Sequence, residues 1–478
     1  MFRVTRTRRP PEVRYVPGRE SARRGVRRFS FLLARLLVAA IATGCAPTAT
    51  PAPKETVGPT EAPTATVRPT ATDEPYVSPR AEPVLVLPPR IIGYFTSWGI
   101  YARNYHVKTI ITSGSAERLS IINYAFAGPF DGRCILADPQ ADLHRIYGRA
   151  DSVNGQGNGP DAVRGHFGQL LHLKELYPEV KVLISIGGWT LSADFSDAAL
   201  PENRQAFVAS CVDMFIRGNL PELEPGAAAG LFDGIDIDWE YPAAPGRRGN
   251  TYRPEDANNF TDLLAEFRRR LDEIDPDLLL TIAAPAGRDR YSLMELDQIH
   301  PYLDWINVMT YDYHGAWEPR GPTNFPAPLY TSSMDPVADQ DLSADASIRA
   351  FLQAGVPPAK LNLGVPFYGR GWSGVTDAEH GLYQEAEAPA SGLFEAGVND
   401  TGVLRRLEFP SFRDPEAGAF WLFDGETFWS FDDPEVMALK TTYVIDMGLG
   451  GVMFWELAGD TRDGELITAI YEGLHAAR

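Results

Sequence analysis

The sequence predicts an α/β chain closed into a (β/α)8 TIM barrel. Three observations carry that expectation. Eight short apolar runs recur between residues 91 and 457: Ile91–Phe95, Ser120–Ala127, Lys181–Gly187, Gly234–Glu240, Leu278–Ala284, Ile306–Tyr311, Leu361–Phe367 and Gly451–Leu457. Amphipathic segments separate them. The clearest puts Phe260, Leu263, Leu264, Phe267, Leu271 and Ile274 on one helical face. Alternating strands and helices build a parallel sheet, and eight such units close into a barrel. The third observation is a break in the rhythm: the seventh and eighth runs lie about 80 residues apart, against roughly 30 for a simple unit. The excess, 373–431, holds Tyr383, Phe394, Phe420, Trp421, Phe423, Phe428 and Trp429 among scattered Gly and Pro, and reads as short strands and turns.

Before the barrel come two segments of different character. Residues 1–28 are Arg-rich, and 29–44 are apolar but for Arg35. A charged stretch followed by an apolar run too short for a comfortable membrane span is signal-peptide architecture. The ending Ala42-Thr43-Gly44-Cys45 resembles a bacterial lipoprotein cleavage site, which implies lipidation of Cys45, a membrane anchor and a place at the cell surface. Residues 46–90 are low-complexity Pro, Thr and Ala. They cannot bury enough apolar surface to fold, and read as a linker that lifts the body (91–478) away from its anchor.

Charge narrows the partners. Of a formal −19, residues 1–45 contribute +9 through eleven Arg against Glu12 and Glu20, so the remainder carries −28. A body that acidic argues against nucleic acid or an anionic membrane surface, and is compatible with neutral sugar polymers. The three cysteines, Cys45, Cys134 and Cys211, make no disulfide framework; the last two read as free buried thiols, with a Cys134–Cys211 pair as the alternative. No Cys/His spacing suggests zinc.

The chemistry concentrates in the fourth run, Asp233-Gly-Ile-Asp236-Ile-Asp238-Trp-Glu240-Tyr241-Pro242. Ile235 and Ile237 alternate with Asp236 and Asp238, which is strand periodicity, so Asp236, Asp238 and Glu240 share one face at roughly 6.7 Å per two-residue step. Carboxylates so placed repel, titrate as a coupled set and raise at least one pKa, as a general acid needs. A solvated edge strand and a hard-cation site are the competing readings; the apolar Phe232, Ile235, Ile237 and Trp239 oppose the first.

This run resembles the signature strand of glycoside hydrolase family 18, the chitinases and their relatives. Ser185–Gly188 resembles the family's SxGG motif and Met309–Asp312 its MxYD motif, so with Trp455 the likeness extends over most of 91–457. It implies a small α+β insertion domain at 373–431, between strand seven and helix seven. It implies that Glu240 is the general acid, that Asp238 orients the substrate's N-acetyl group and that Asp236 shares its proton. Tyr311 would hydrogen-bond the acetamido oxygen, Asp312 would support the intermediate and Trp455 would floor the reacting sugar. The family's exemption from the two-carboxylate scheme follows because the substrate's acetamido oxygen is the nucleophile.

In a barrel the site lies at the C-terminal strand ends. Those ends supply Tyr94, Trp98, Phe126, Ser185, Gly187, Gly188, Trp189, Tyr241, Met309, Trp317, Tyr368, Arg370, Trp372 and Trp455; all but Trp98 and Trp372 are assigned to substrate binding. Aromatic rings recurring at strand ends point to a carbohydrate cleft, since ring faces stack on sugars. His300 and His314 receive no role. The resemblance implies hydrolysis of β-1,4 links in chitin or another N-acetylglucosamine polymer by a monomer without cofactor or metal. An endo-N-acetylglucosaminidase on glycans or peptidoglycan, and a sugar-binding protein without catalysis, are the alternatives.

Overall fold

The computed structural model describes residues 88–157 and 163–476. The leader with Cys45 and nearly all of the 46–90 linker lie outside the described residues. Eight parallel strands form a closed ring: β1 (Arg90–Thr96), β2 (Ile121–Phe130), β4 (Lys181–Gly187), β5 (Gly234–Asp238), β6 (Leu279–Pro285), β7 (Trp305–Met309), β8 (Leu361–Pro366) and β15 (Gly451–Trp455), with β15 pairing back onto β1. All eight apolar runs became barrel strands, with ends shifted by a few residues.

The core has two parts because strand side chains alternate. Outward residues such as Ile235 and Ile237 pack under the surrounding helices in one large cluster. Helix Asp256–Asp272 delivers Phe260, Leu263, Leu264, Phe267 and Leu271 to it, all buried. Ile274 falls beyond the helix end and is 40% exposed, so it is no part of that face. Inward residues fill the barrel, with Ile92, Tyr94, Ile121, Leu183, Trp305 and Met453 among them.

One strand was not expected. β3 (Arg133–Leu136) folds back antiparallel on β2 through Asp131-Gly132, both at positive φ. Asp-Gly between two strands is the local signal for such a two-residue turn. The hairpin carries Cys134 to the last residue of helix Pro201–Cys211, where Cys134 and Cys211 form a disulfide with Cα atoms 5.0 Å apart. The free-thiol expectation is therefore corrected. The partners are 77 residues apart and meet only because β3 docks on that helix, a contact that no local pattern announces.

Between β8 and helix Pro434–Asp446 lies a second sheet, antiparallel, made of β9 (Tyr368–Ser373), β10 (Ala388–Pro389), β11 (Val398–Asp400), β12 (Ser411–Asp414), β13 (Ala419–Phe423) and β14 (Thr427–Phe431). It starts at Tyr368, five residues ahead of the expected boundary, because β9 supplies its central pairings with β10, β11 and β14. Each face is apolar: Trp372, Trp421, Phe423 and Phe428 pack with Phe325 on one side, and Leu404, Phe420, Leu422, Trp429 and Phe431 pack on the other.

Candidate active site

β5 ends in the acids. Its outward Ile235 and Ile237 are fully buried, which sets the strand's rotation and sends Asp236 and Asp238 inward. Asp236 is fully buried at the bottom of the set. Its Oδ2 accepts from Tyr94 Oη at 2.7 Å and Ser185 Oγ at 2.8 Å, and its Oδ1 from Thr281 Oγ1 at 2.5 Å and Asn307 Nδ2 at 3.4 Å. Burial pushes its pKa up, and these four donors pull against that rise. Asp238 sits above, 4% exposed, and its Oδ1 has no hydrogen-bond partner among the described residues. Burial first, then the neighbouring charges of Glu240 and Asp236, raise it well above the carboxylate range. Glu240 lies just past the strand, partly open to the groove, with its N–H donating to Ser192 Oγ at 2.9 Å. Its pKa is pushed up to about 7, chiefly by desolvation and also by Asp312, against Tyr241 and Arg290, which lower it.

The acids open into a groove of about 1460 Å³ across the strand ends. Asp238, Glu240, Tyr311 and Asp312 line it, as do Tyr94, Phe126, Trp189, Tyr241, Met309, Trp317, Tyr368, Arg370 and Trp455. Trp455 forms part of an aromatic floor, stacked on Phe126 at 5.7 Å and 16° and lying 5.4 Å from the Tyr94 ring. Trp98, Trp189 and Trp317 are 39%, 48% and 54% exposed, so three indole faces stand ready along the groove. Asp312 sits in left-handed backbone at φ 60°, a conformation that aspartate tolerates better than most residues. Arg370 holds its Oδ1 through Nε at 2.9 Å and Nη2 at 2.7 Å, and Tyr368 Oη donates to the same oxygen at 2.8 Å. The Arg370 guanidinium also lies over the rings of Trp317 and Tyr368.

Three expected substrate contacts lie beneath the groove instead of in it. Ser185 is fully buried and spends its hydroxyl on Asp236. Gly187 and Gly188, at φ 117° and 77°, let the β4 loop pass under the site: a Cβ on the first would meet the Asp238 carbonyl at 2.1 Å, and on the second the Phe126 ring at 2.5 Å. Trp372 is likewise no groove residue. It is fully buried in the second sheet, with Nε1 donating to the Glu318 carbonyl at 2.8 Å. His314 is buried against Glu318 at 3.0 Å, and Asp233 accepts from Lys174 Nζ at 2.7 Å and Val182 N at 2.8 Å, both structural arrangements.

The ion-pair cluster in the wall beside Phe394 has no local signal in the sequence. Arg103, just after β1, forms a two-pronged ion pair with Asp400 of β11 at 2.8 Å per prong, lies 4.3 Å over the Phe394 ring and stands 3.6 Å from Glu456. Its four members come from distant stretches of chain, and none sits in a motif. Arg290, over the Tyr241 ring at 4.8 Å, lacks a signal for the same reason.

Comparison with known proteins agrees with this geometry. The profile of the glycosyl hydrolases family 18 matches residues 90–460. Chitinase 63 of Streptomyces plicatus is 40% identical over 406 residues, which is 84% of this chain and 62% of that protein, so the chain spans less than two thirds of that relative's length. Among solved structures, the catalytic domain of psychrophilic chitinase B from Arthrobacter TAD20 matches with a TM-score of 0.78 and 37% identity, over 81% of this chain and 96% of that one. A glycoside hydrolase family 18 N-acetylglucosaminidase from Paenibacillus barengoltzii matches with a TM-score of 0.63 and 30% identity, over 80% of this chain and 99% of that one.

Proposed function

This chain belongs to glycoside hydrolase family 18, and from that premise we propose that it is a chitinase that hydrolyses β-1,4-N-acetylglucosamine links with retention of configuration. The observation that carries the reading is the vertical set Asp236–Asp238–Glu240, with a Glu240 poised near neutrality at the floor of an aromatic groove. A carboxyl with a pKa of about 7 keeps its proton at mildly acidic pH and can give it to a glycosidic oxygen.

No enzyme carboxylate need attack. The acetamido oxygen of the sugar above Trp455 attacks its own anomeric carbon while Glu240 protonates the departing oxygen. The resulting oxazolinium carries charge beside Asp238, whose free Oδ1 is available to the amide N–H. Tyr311 lines the groove and is the donor proposed for the acetamido oxygen. Glu240, now a carboxylate, activates water, which opens the ring and restores the acid. Asp312, held by Arg370 and Tyr368, places a fixed negative charge near the developing cation.

A groove that extends from Trp189 to Phe394 suits a polymer better than a single sugar, which supports chitin over a terminal residue as substrate. We read the second sheet as the family's insertion domain, because it contributes Tyr368, Arg370, Phe394 and Asp400 to one wall. For location we propose an exported chain anchored through a lipidated Cys45. The Cys134–Cys211 disulfide supports an oxidising compartment.

The test is substrate chemistry. Fluorogenic chitobioside and chitin oligomers should turn over, a fully deacetylated oligomer should not, a thiazoline mimic of the oxazolinium should inhibit, and EDTA should have no effect. Full activity on the deacetylated oligomer sinks the substrate-assisted mechanism. Preference for peptidoglycan or N-glycan over chitin oligomers would move the assignment to an endo-N-acetylglucosaminidase.

A further inference from the structure

We propose that Asn123 holds an ordered water at the centre of the barrel, shared with Asn362, and that this buried link is a positioning element that favours the charged form of Asp236. The link to catalysis rests on the reading of Asp236 given above; the water and its effect on Asp236 are testable without turnover.

Inward side chains of an eight-stranded barrel stack in levels of four, each level drawn from alternate strands. Following the strand registers round the ring, with the slip of about one residue per strand that this barrel type requires, places Asn123 (β2), Asp236 (β5), Asn307 (β7) and Met453 (β15) on one level. The level beneath holds Ile92, Leu183, Thr281 and Asn362. Two of these amides already form a chain to the carboxylate. Asn362 Nδ2 donates to Asn307 Oδ1 at 2.9 Å, and Asn307 Nδ2 donates to Asp236 Oδ1 at 3.4 Å. Each amide in such a chain polarises the next, so a donor on Asn362 Oδ1 would strengthen the distant bond to Asp236.

Among the described residues that oxygen has no hydrogen-bond partner, and neither do Oδ1 and Nδ2 of Asn123, although both residues are fully buried. Buried amides without partners are costly and rare, and internal waters with about three hydrogen bonds commonly satisfy them. A water that accepts from Asn123 Nδ2 and donates to Asn362 Oδ1 satisfies two of these three atoms and directs the chain toward Asp236. The groups that face Asp236 are Tyr94 from β1, Ser185 from β4, Asp238 from its own strand, Thr281 from β6 and Asn307 from β7. Of these only Tyr94 and Asp238 titrate, and neither supplies a positive charge. Neutral donors are then the groups that favour its charged form, so each donor counts.

Two measurements test this. A high-resolution crystal structure of the wild type should show water density within hydrogen-bond distance of Asn123 Nδ2 and Asn362 Oδ1, lost in Asn123→Leu. A carboxyl-carbon NMR titration of Asp236, assigned with Asp236→Asn, should show a midpoint raised by on the order of half a pH unit in Asn123→Leu. Asn123→Ser, which leaves a hydroxyl and room for water, should restore much of that shift. Dry density between the two amides in the wild type overturns the proposal. So does a destabilised Asn123→Leu whose Asp236 midpoint is unchanged, which is what a purely structural residue would give. Should Asn123→Leu fail to fold, Asn362→Leu takes its place, and the wild-type density decides by itself. A chain that passes both tests but leaves chitobioside uncleaved would refute the proposed function and not this inference.

Discussion

The barrel and the second sheet are both built on buried apolar faces, yet they treat polarity in opposite ways. The barrel interior admits Asp236, Asp238, Ser185, Thr281, Asn307 and Asn362 and satisfies most of them with one another. The sheet is apolar on both faces, and of the seven aromatics that mark 373–431 only Phe394 reaches the groove. The rest, among them Trp421, Phe428 and Trp429, are the sheet's own cores. The difference teaches that aromatic density in a sequence reports a core unless something turns the rings outward. In the barrel, the chemistry sits at strand ends, where side chains run out of packing partners. In the sheet, the groove-facing residues are Tyr368 and Arg370 of the interior strand β9, Asp400 of β11 and Phe394 of the loop before it.

If chemistry belongs to the barrel, Glu240→Gln should cost on the order of 10²–10⁴ in kcat on every substrate length, with KM nearly kept, because only the proton is lost. Retention of more than about a tenth of wild-type kcat would remove Glu240 from the role of acid.

The pH profile sharpens the same point. Glu240 must be protonated to act, so kcat should fall about tenfold per pH unit above its folded pKa of about 7. Stability should move the same way. The folded carboxyl holds its proton more tightly than the unfolded one, whose value is 4.5, so the contribution is complete below 4.5 and is lost as pH rises through about 7. Glu240→Gln should flatten that decline in a denaturant titration series, and an unchanged slope would show that other groups cause it.

If the sheet supplies reach, Phe394→Ala should lower kcat/KM on long chitin oligomers by roughly two- to tenfold, the worth of one exposed aromatic contact, while aryl chitobioside stays near wild type. Equal losses on both would tie that wall to the reacting sugar and break the division of labour. Arg103→Ala, which frees both Phe394 and Asp400, should behave alike.

The smallest effect on turnover belongs to the sheet core. Trp372→Ala should destabilise the sheet by about 3–5 kcal/mol, seen as a lowered unfolding midpoint, with aryl-chitobioside kcat little changed in the folded protein. A collapse of kcat without loss of stability would mean that Trp372 serves the site after all.

Much of this was legible before folding. The eight barrel strands, the acid set and its face, and the aromatic lining at Tyr94, Trp189, Tyr241, Trp317 and Trp455 are local features, carried by short apolar runs, by the alternation within β5 and by position at or just past a strand end. The β2–β3 turn has a local signal too, in Asp131-Gly132. What lay beyond the sequence are relations between strands. Ser185, Gly187 and Gly188 share a motif, but only the register of β4 against β5 sets Ser185 beside Asp236 and Gly187 beside Asp238 and not in the groove. Cys134 and Cys211 pair because a hairpin docks on a helix. Arg103, Phe394, Asp400 and Glu456 converge from residues 103 to 456, and Asn123 comes level with Asp236 only through the slip of one residue per strand around the ring. The sequence by itself determined which residues alternate and which faces are apolar, because periodicity is a property of neighbours along the chain. Which of those residues meet was decided by barrel closure, because strand register and stagger are shared by all eight strands and written in none of them alone.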